Sequence, residues 1–93
     1  MQKNILIIIP VLNEVKNIEP LVKKIKFHLK GVDKNFLFID DNSTDGTREK
    51  IHFLQKKYKN KVYLIKRKKK LGIGSAHKCG LKWGFKKKYK III

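Results

Sequence analysis

Apolar and polar positions follow two different rhythms along this chain. Nearly unbroken apolar runs fall at 5–9 (Ile-Leu-Ile-Ile-Ile), 36–39 (Phe-Leu-Phe-Ile), 62–65 (Val-Tyr-Leu-Ile) and 91–93 (Ile-Ile-Ile). Short runs rich in β-branched and aromatic residues, without alternation, predict strands covered on both faces. Between them apolar residues recur at helical spacing. Ile18, Leu21, Val22, Ile25 and Leu29 make one stripe, and Thr47, Ile51, Leu54 and Tyr58 make a second. A third helix is expected over 75–87, where Ala76, Gly80 and Gly84 form a strip of small residues that permits close approach to a sheet. Asn17 is placed to cap the first helix, with Pro20 still in its first turn and Gly31 at its C-terminal stop. Strands alternating with helices in this order predict an α/β fold. Its parallel sheet of about four strands is joined by right-handed crossovers and carries helices on both faces.

Composition narrows the class. With 93 residues the chain is at most one small domain, and a chain of this size buries only ~60–65% of the surface its unfolded form exposes. The lone Cys79 cannot form an internal disulfide, and His28, His52 and His77 lack metal-ligand spacing, so a disulfide scaffold and a zinc module are excluded. The apolar run 5–9 stops at Pro10. It has no signal-peptide shape, and it is far shorter than the ~20 residues that span a bilayer.

A net charge of +17 suggests an anionic partner, but its make-up weakens that reading. Only Arg48 and Arg67 are arginine; the other 22 basic residues are lysine, accompanied by 13 isoleucines and 6 asparagines, an excess that AT-rich coding imposes on any protein. Specific phosphate and base recognition favours arginine's bidentate fork over lysine's hydrated point charge. A basic nucleic-acid-binding module is the alternative of a different class, and it calls for arginine or aromatic residues interleaved on one surface. Phe36, Phe38, Tyr63 and Phe85 instead sit at core-periodic positions, and Trp83 stands alone.

Parallel α/β sheets bind ligands beyond the carboxyl ends of their strands. Three polar clusters fall there, at 10–14, 40–47 and 66–76. A carboxylate at a strand end can accept from nucleobase N–H or ribose hydroxyl groups, and a glycine-bearing loop that opens a helix suits phosphate. The segment Asp40-Asp41-Asn42-Ser43-Thr44-Asp45-Gly46-Thr47 is not a calcium loop, because counting from Asp41 puts His52 at the twelfth position, where a bidentate glutamate is required. Turn and helix-cap chemistry accounts for residues 42–47, and less well for two adjacent aspartates. Gly72-Ile73-Gly74 lacks the third glycine of a dinucleotide fingerprint, since that position is His77, and no P-loop is present. His77 and Cys79 read as packing or surface residues.

Taken in series, four segments resemble the amino-terminal part of family 2 glycosyltransferases, in particular the dolichyl-phosphate (polyprenyl-phosphate) mannosyltransferase group. They are Ile7-Ile8-Ile9-Pro10-Val11-Leu12-Asn13-Glu14, Asn17-Ile18-Glu19-Pro20-Leu21, Phe38-Ile39-Asp40-Asp41-Asn42-Ser43-Thr44-Asp45-Gly46-Thr47, and Lys70-Leu71-Gly72-Ile73-Gly74-Ser75-Ala76 with Gly80. The resemblance implies the nucleotide-sugar-binding half of a GT-A (Rossmann-like) fold, an inverting transferase, and a single incomplete family 2 domain over residues 1–93. It places Pro10, Leu12, Glu14, Ile39 and Asp41 at the nucleotide. Glu14 would accept from the ribose hydroxyls and Asp41 would hold the base edge. Leu12 stands where tyrosine is frequent, so base packing there would be aliphatic.

The same resemblance offers Lys70, Gly72 and Gly74 as a phosphate or acceptor loop, GDP-mannose as donor, and a polyprenyl or dolichyl phosphate as acceptor. A polysaccharide acceptor is the alternative within the family. It also implies Mg2+ or Mn2+ held by an Asp-x-Asp expected just after Ile93, so that no catalytic residue or metal ligand falls within the chain. The run 91–93 reads as the fourth strand of a longer protein. The 93 residues alone are therefore expected to bind nucleotide weakly and transfer nothing. The basic run 66–70 is expected to attract an anionic membrane surface in a cytoplasmic, membrane-associated full-length form, with no specific nucleic acid as partner.

Overall fold

A computed structural model describes residues 5–68 and 72–93. The chain runs β1 (Ile5–Val11), α1 (Val15–His28), β2 (Lys34–Asp40), α2 (Thr47–Lys57), β3 (Val62–Lys66), α3 (Ile73–Lys86) and β4 (Ile91–Ile92). All strand pairs are parallel and the sheet order is β3-β2-β1-β4. Crossovers from β1 to β2 and from β2 to β3 move outward in one direction, and the step to β4 returns past β1. Right-handed crossovers in opposite directions must place their helices on opposite faces. Accordingly α1 and α2 cover one face with Ile7, Ile9, Val11, Phe36, Phe38 and Val62, while Leu6, Ile8, Leu37 and Ile39 face Ala76 of α3. Two-sided burial explains why strand residues of both parities are apolar.

The small strip of α3 works as its sequence suggests. A Cβ added at Gly80 would lie 2.7 Å from Ile8 side-chain atoms, and one at Gly84 would lie 2.7 Å from Ile92 and 2.9 Å from Leu6. The helix backbone rests directly on β1 and β4, an approach that any larger residue would block.

Several expectations change. The strands reach further than the apolar runs. β1 continues through Pro10 to Val11, whose neighbour on the β4 side has already ended, so the missing proline N–H costs no ladder bond. β2 starts at Lys34 and buries Asn35, whose amide donates to the Tyr89 hydroxyl at 2.8 Å. Ile93 lies beyond the assigned β4 yet still exchanges bonds with Leu6 and Ile8 of β1.

Asn17 does not cap α1, and Pro20 is not in its first turn. The helix starts at Val15, so Asn17 is its third residue and Pro20 its sixth. Its start is set from another loop: Glu14 N–H donates to Thr47 Oγ1 and Val15 N–H to Asp45 Oδ2. Gly31 lies in the left-handed region (φ 84°), in the turn beyond the Leu29 cap. Leu21 and Phe85, both read as core positions, face water, and Trp83 is not isolated: it lies between Tyr63 and Tyr89, with ring centroids 5.1 and 6.2 Å away.

Candidate functional site

Strand register builds the site. Val11 pairs with Asp40 and Asp40 with Lys66, so the next residues, Leu12, Asp41 and Arg67, leave the sheet side by side. Backbone bonds continue the row, from Asp41 N–H to the Val11 carbonyl (3.1 Å) and from Arg67 N–H to the Asp40 carbonyl (2.8 Å). A cleft of about 240 Å³ opens over this edge, lined among the described residues by Pro10, Val11, Leu12, Glu14, Asp41, Gly72 and Ile73. It lies at the carboxyl ends of the strands, beside the point where the connections reverse direction, where α/β sheets bind their ligands.

Two adjacent aspartates take different roles. Asp40 is completely buried; its carboxylate accepts from the Ser43 N–H at 3.0 Å, from the Ser43 hydroxyl and from Arg48 Nε. It tethers the loop after β2 to α2. The Asp41 carboxylate, almost as buried, is held by Arg67 in a two-pronged grip, Nε to Oδ1 at 2.6 Å and Nη2 to Oδ2 at 2.9 Å. Arg67 also donates to Ser75 Oγ at 2.9 Å and to the Gly72 carbonyl at 3.4 Å, which fastens the start of α3 to the same carboxylate. Paired with Asp41, the guanidinium is held charged beyond its ordinary range.

The loops after β1 and β2 are stitched together. Asn13, in the left-handed region at φ 54°, donates its N–H to Ser43 Oγ and accepts from Thr44 N–H on its side-chain oxygen, both at 2.8 Å. Asp45 accepts from Val15 N–H at 3.2 Å and Thr47 N–H at 3.0 Å, so one carboxylate caps the starts of α1 and α2. The Thr47 hydroxyl first, and these N–H groups with it, hold the Asp45 carboxyl below its ordinary value. Glu14, exposed at the start of α1, is oriented by the Asn17 amide, which donates to its Oε2 at 2.7 Å. Gly72 precedes α3 in the left-handed region (φ 90°), among the described residues no side chain caps that helix, and its positive end, at Gly72 and Ile73, lies on the cleft.

Of the residues singled out in the sequence, Pro10, Leu12, Glu14, Asp41 and Gly72 come together on this cleft. Ile39 does not line it: this side chain is fully buried against α3, one layer below. Gly74 is exposed in the first turn of α3, away from the lining. Lys70 lies outside the described residues. Arg67, a member of the basic run 66–70, is the residue that orients Asp41. Its signal was positional, one residue past β3 as Asp41 is one past β2. Lys66 and Lys68 are exposed.

The cleft can accept hydrogen bonds at Glu14 and Asp41 and offer an aliphatic wall at Pro10, Val11, Leu12 and Ile73. Its volume suits a nucleobase or a ribose, below the ~300–1,000 Å³ usual for a whole ligand site. A divalent ion does not fit the residues present. Among the described residues no three His, Cys, Asp or Glu side chains converge, and Asp40 and Asp41 are each committed to an arginine. No helix among the described residues is long and apolar enough to cross a membrane.

Known proteins resemble this chain in sequence and in fold. The chain is 31% identical over 88 residues to a polyprenol monophosphomannose synthase of Mycolicibacterium smegmatis, a match covering 95% of this chain and 32% of that protein. It is 41% identical over 76 residues to a dolichol-phosphate mannosyltransferase of Pyrococcus furiosus, covering 82% of this chain and 21% of that one. In three dimensions it superposes with a TM-score of 0.76, at 20% identity, on a mannosyltransferase from Pyrobaculum calidifontis solved in complex with GDP-Man and Mn2+. That match covers 89% of this chain and 25% of the other. The chain therefore spans less than a third of the length of each. The α/β, GT-A type of fold expected from the sequence is the one observed, and the model of the family described as glycosyl transferase family 2 matches residues 6–93. With nearly its whole length matched in sequence pattern, and a cleft where that fold binds ligands, the chain belongs to glycosyl transferase family 2.

Proposed function

We propose that this chain forms the nucleotide-sugar-binding part of an inverting glycosyltransferase that passes mannose from GDP-mannose to a polyprenyl or dolichyl phosphate. The observation that carries this reading is the convergence of Pro10, Leu12, Glu14, Asp41 and the start of α3 on one cleft. Similarity to the two polyprenyl-type mannosyl enzymes, and to a fold that holds GDP-Man, supports the choice of donor and acceptor.

In this reading Asp41, oriented by Arg67, accepts from the N–H edge of the base, which packs on Leu12 and Pro10. Glu14, held by Asn17, accepts from the ribose hydroxyls. Gly72 and the start of α3 face the phosphates, where helix N–H groups favour negative charge. The acceptor phosphate is already anionic near neutral pH, so it needs placement more than a general base. A divalent cation, of the kind bound with GDP-Man in the structural relative, would have to draw its ligands from outside the described residues.

The test is competition for the cleft by calorimetry. GDP-mannose is expected to bind the chain with an affinity in the ~1 mM range or somewhat better, to displace UDP-glucose, and to lose most of its affinity in Asp41→Asn. Equal affinity for UDP-glucose would contradict the proposed donor. Binding unaffected by Asp41→Asn would contradict the proposed site.

A further inference from the structure

All seven acidic residues of the chain lie between Glu14 and Glu49. Residues 50–93 carry 16 Lys and Arg and no Asp or Glu, so +16 of the net +17 belongs to the second half. Helix α3 lies in that half. Leu81 and Phe85, 43% and 79% exposed, follow one another along it at a spacing of four, and Lys78, Lys82 and Lys86 run beside them at the same spacing, all exposed. Between α3 and the edge strand β3 opens a shallow groove of about 490 Å³, lined by Ile65, Cys79, Lys82, Trp83, Phe85 and Lys86. It is separate from the cleft at the strand ends, with which it shares no residue.

An apolar ridge next to a lysine row, on a helix with no acidic residue, is the pattern of a helix that lies in a membrane interface. Lysine stems can cover apolar surface while their ammonium groups stay among headgroups. Duplex nucleic acid would use the lysines but would leave the Phe85 ring and the groove against a charged backbone. A lipid surface uses both. We infer that the outer face of α3 docks on an anionic lipid surface, with Phe85 entering the acyl boundary and Lys78, Lys82 and Lys86 contacting the headgroups. This inference rests on the charge and exposure of α3 and does not depend on the transfer reaction proposed above.

Trp83, the sole tryptophan, lines the groove, so its emission reports what happens there. The chain is titrated with vesicles of phosphatidylcholine alone and of phosphatidylcholine with phosphatidylserine. Only the anionic vesicles are expected to bind it and to shift Trp83 emission to the blue. Phe85→Ser leaves charge unchanged and is expected to weaken that binding by about tenfold or more, the worth of burying a phenylalanine. Lys82→Gln and Lys86→Gln are each expected to cost about fivefold. Phe27→Ser is the control, since Phe27 is 76% exposed on α1, on the opposite face, and should leave binding unchanged. All four side chains face water, so folding, checked by far-UV circular dichroism, should be retained. Four results would overturn the inference. They are equal binding to neutral vesicles, equal losses for Phe27→Ser and Phe85→Ser, a Trp83 shift produced by duplex DNA at matched phosphate, and a concentration-dependent shift without lipid that marks a second copy as the occupant.

Discussion

Asp41 and Arg67, 26 residues apart in the chain, are joined by two parallel bonds of 2.6 and 2.9 Å at the lip of the cleft. Each stands one residue beyond a strand, and the register of β2 with β3 makes them neighbours. The grip engages both carboxylate oxygens and so fixes the direction of Asp41. The same guanidinium holds Ser75 and Gly72, which couples the Asp41 carboxylate to the start of α3.

Arg67→Lys keeps the charge and loses the planar fork. GDP affinity, measured by calorimetry, is expected to fall about fivefold, the loss of one charge-assisted bond, and by less than in Asp41→Asn. An unchanged affinity would show that the orientation of Asp41 does not matter.

The same substitution on α3 is expected to act with opposite signs at two places. Gly80→Ala drives a methyl group into the Ile8 side chain and should destabilise by ~1–3 kcal/mol in urea unfolding. At Gly74 an added Cβ meets no described atom within 4 Å and φ is ordinary, so Gly74→Ala should be neutral or stabilise by up to ~0.5 kcal/mol.

Two basic partners of aspartates should differ in weight. Arg48 faces the fully buried Asp40, and Arg48→Ala is expected to cost ~2 kcal/mol by removing a partner from a buried charge. Lys61 pairs with a half-exposed Asp33, where solvent screens the interaction, so Lys61→Ala should leave the unfolding midpoint within error.

Asp45 makes stability depend on pH. Bonded chiefly by Thr47, its carboxyl sits below the ordinary value of 3.8 when folded. A lowered folded pKa gives stability that is complete above the unfolded value and is lost as pH falls through the folded one. The stability gap between the native chain and Asp45→Asn should therefore be widest near neutral pH and narrow below about pH 4. Glu19 and Asp33 are lowered too, by Lys50 and Lys61 first, but they are common to both proteins and cancel in the difference.

What could be read from the sequence divides along physical lines. Two-sided burial writes itself into consecutive apolar residues, so the four strands, their parallel pairing and the small strip of α3 were legible, while the sheet order was not. Helix starts were not. The α1 start depends on Thr47 and Asp45, more than thirty and thirty residues downstream respectively, and no local pattern around Asn17 contains them. Exposure of Leu21 and Phe85 also escaped, because helical spacing sets a stripe's direction and not its width. Asp41 could be picked out by its place at a strand end. Arg67 could not be separated from the surrounding lysines without the register.

The central claim, that the cleft at the strand ends takes the nucleotide, is tested most directly by amide NMR of the 15N-labelled chain titrated with GDP. Shifts are expected to cluster at Leu12, Glu14, Asp41, Gly72 and Ile73, with an apparent Kd of ~1 mM or tighter, and to vanish in Asp41→Asn. Shifts centred instead on the lysines of α2 and α3, and persisting in Asp41→Asn, would contradict the account.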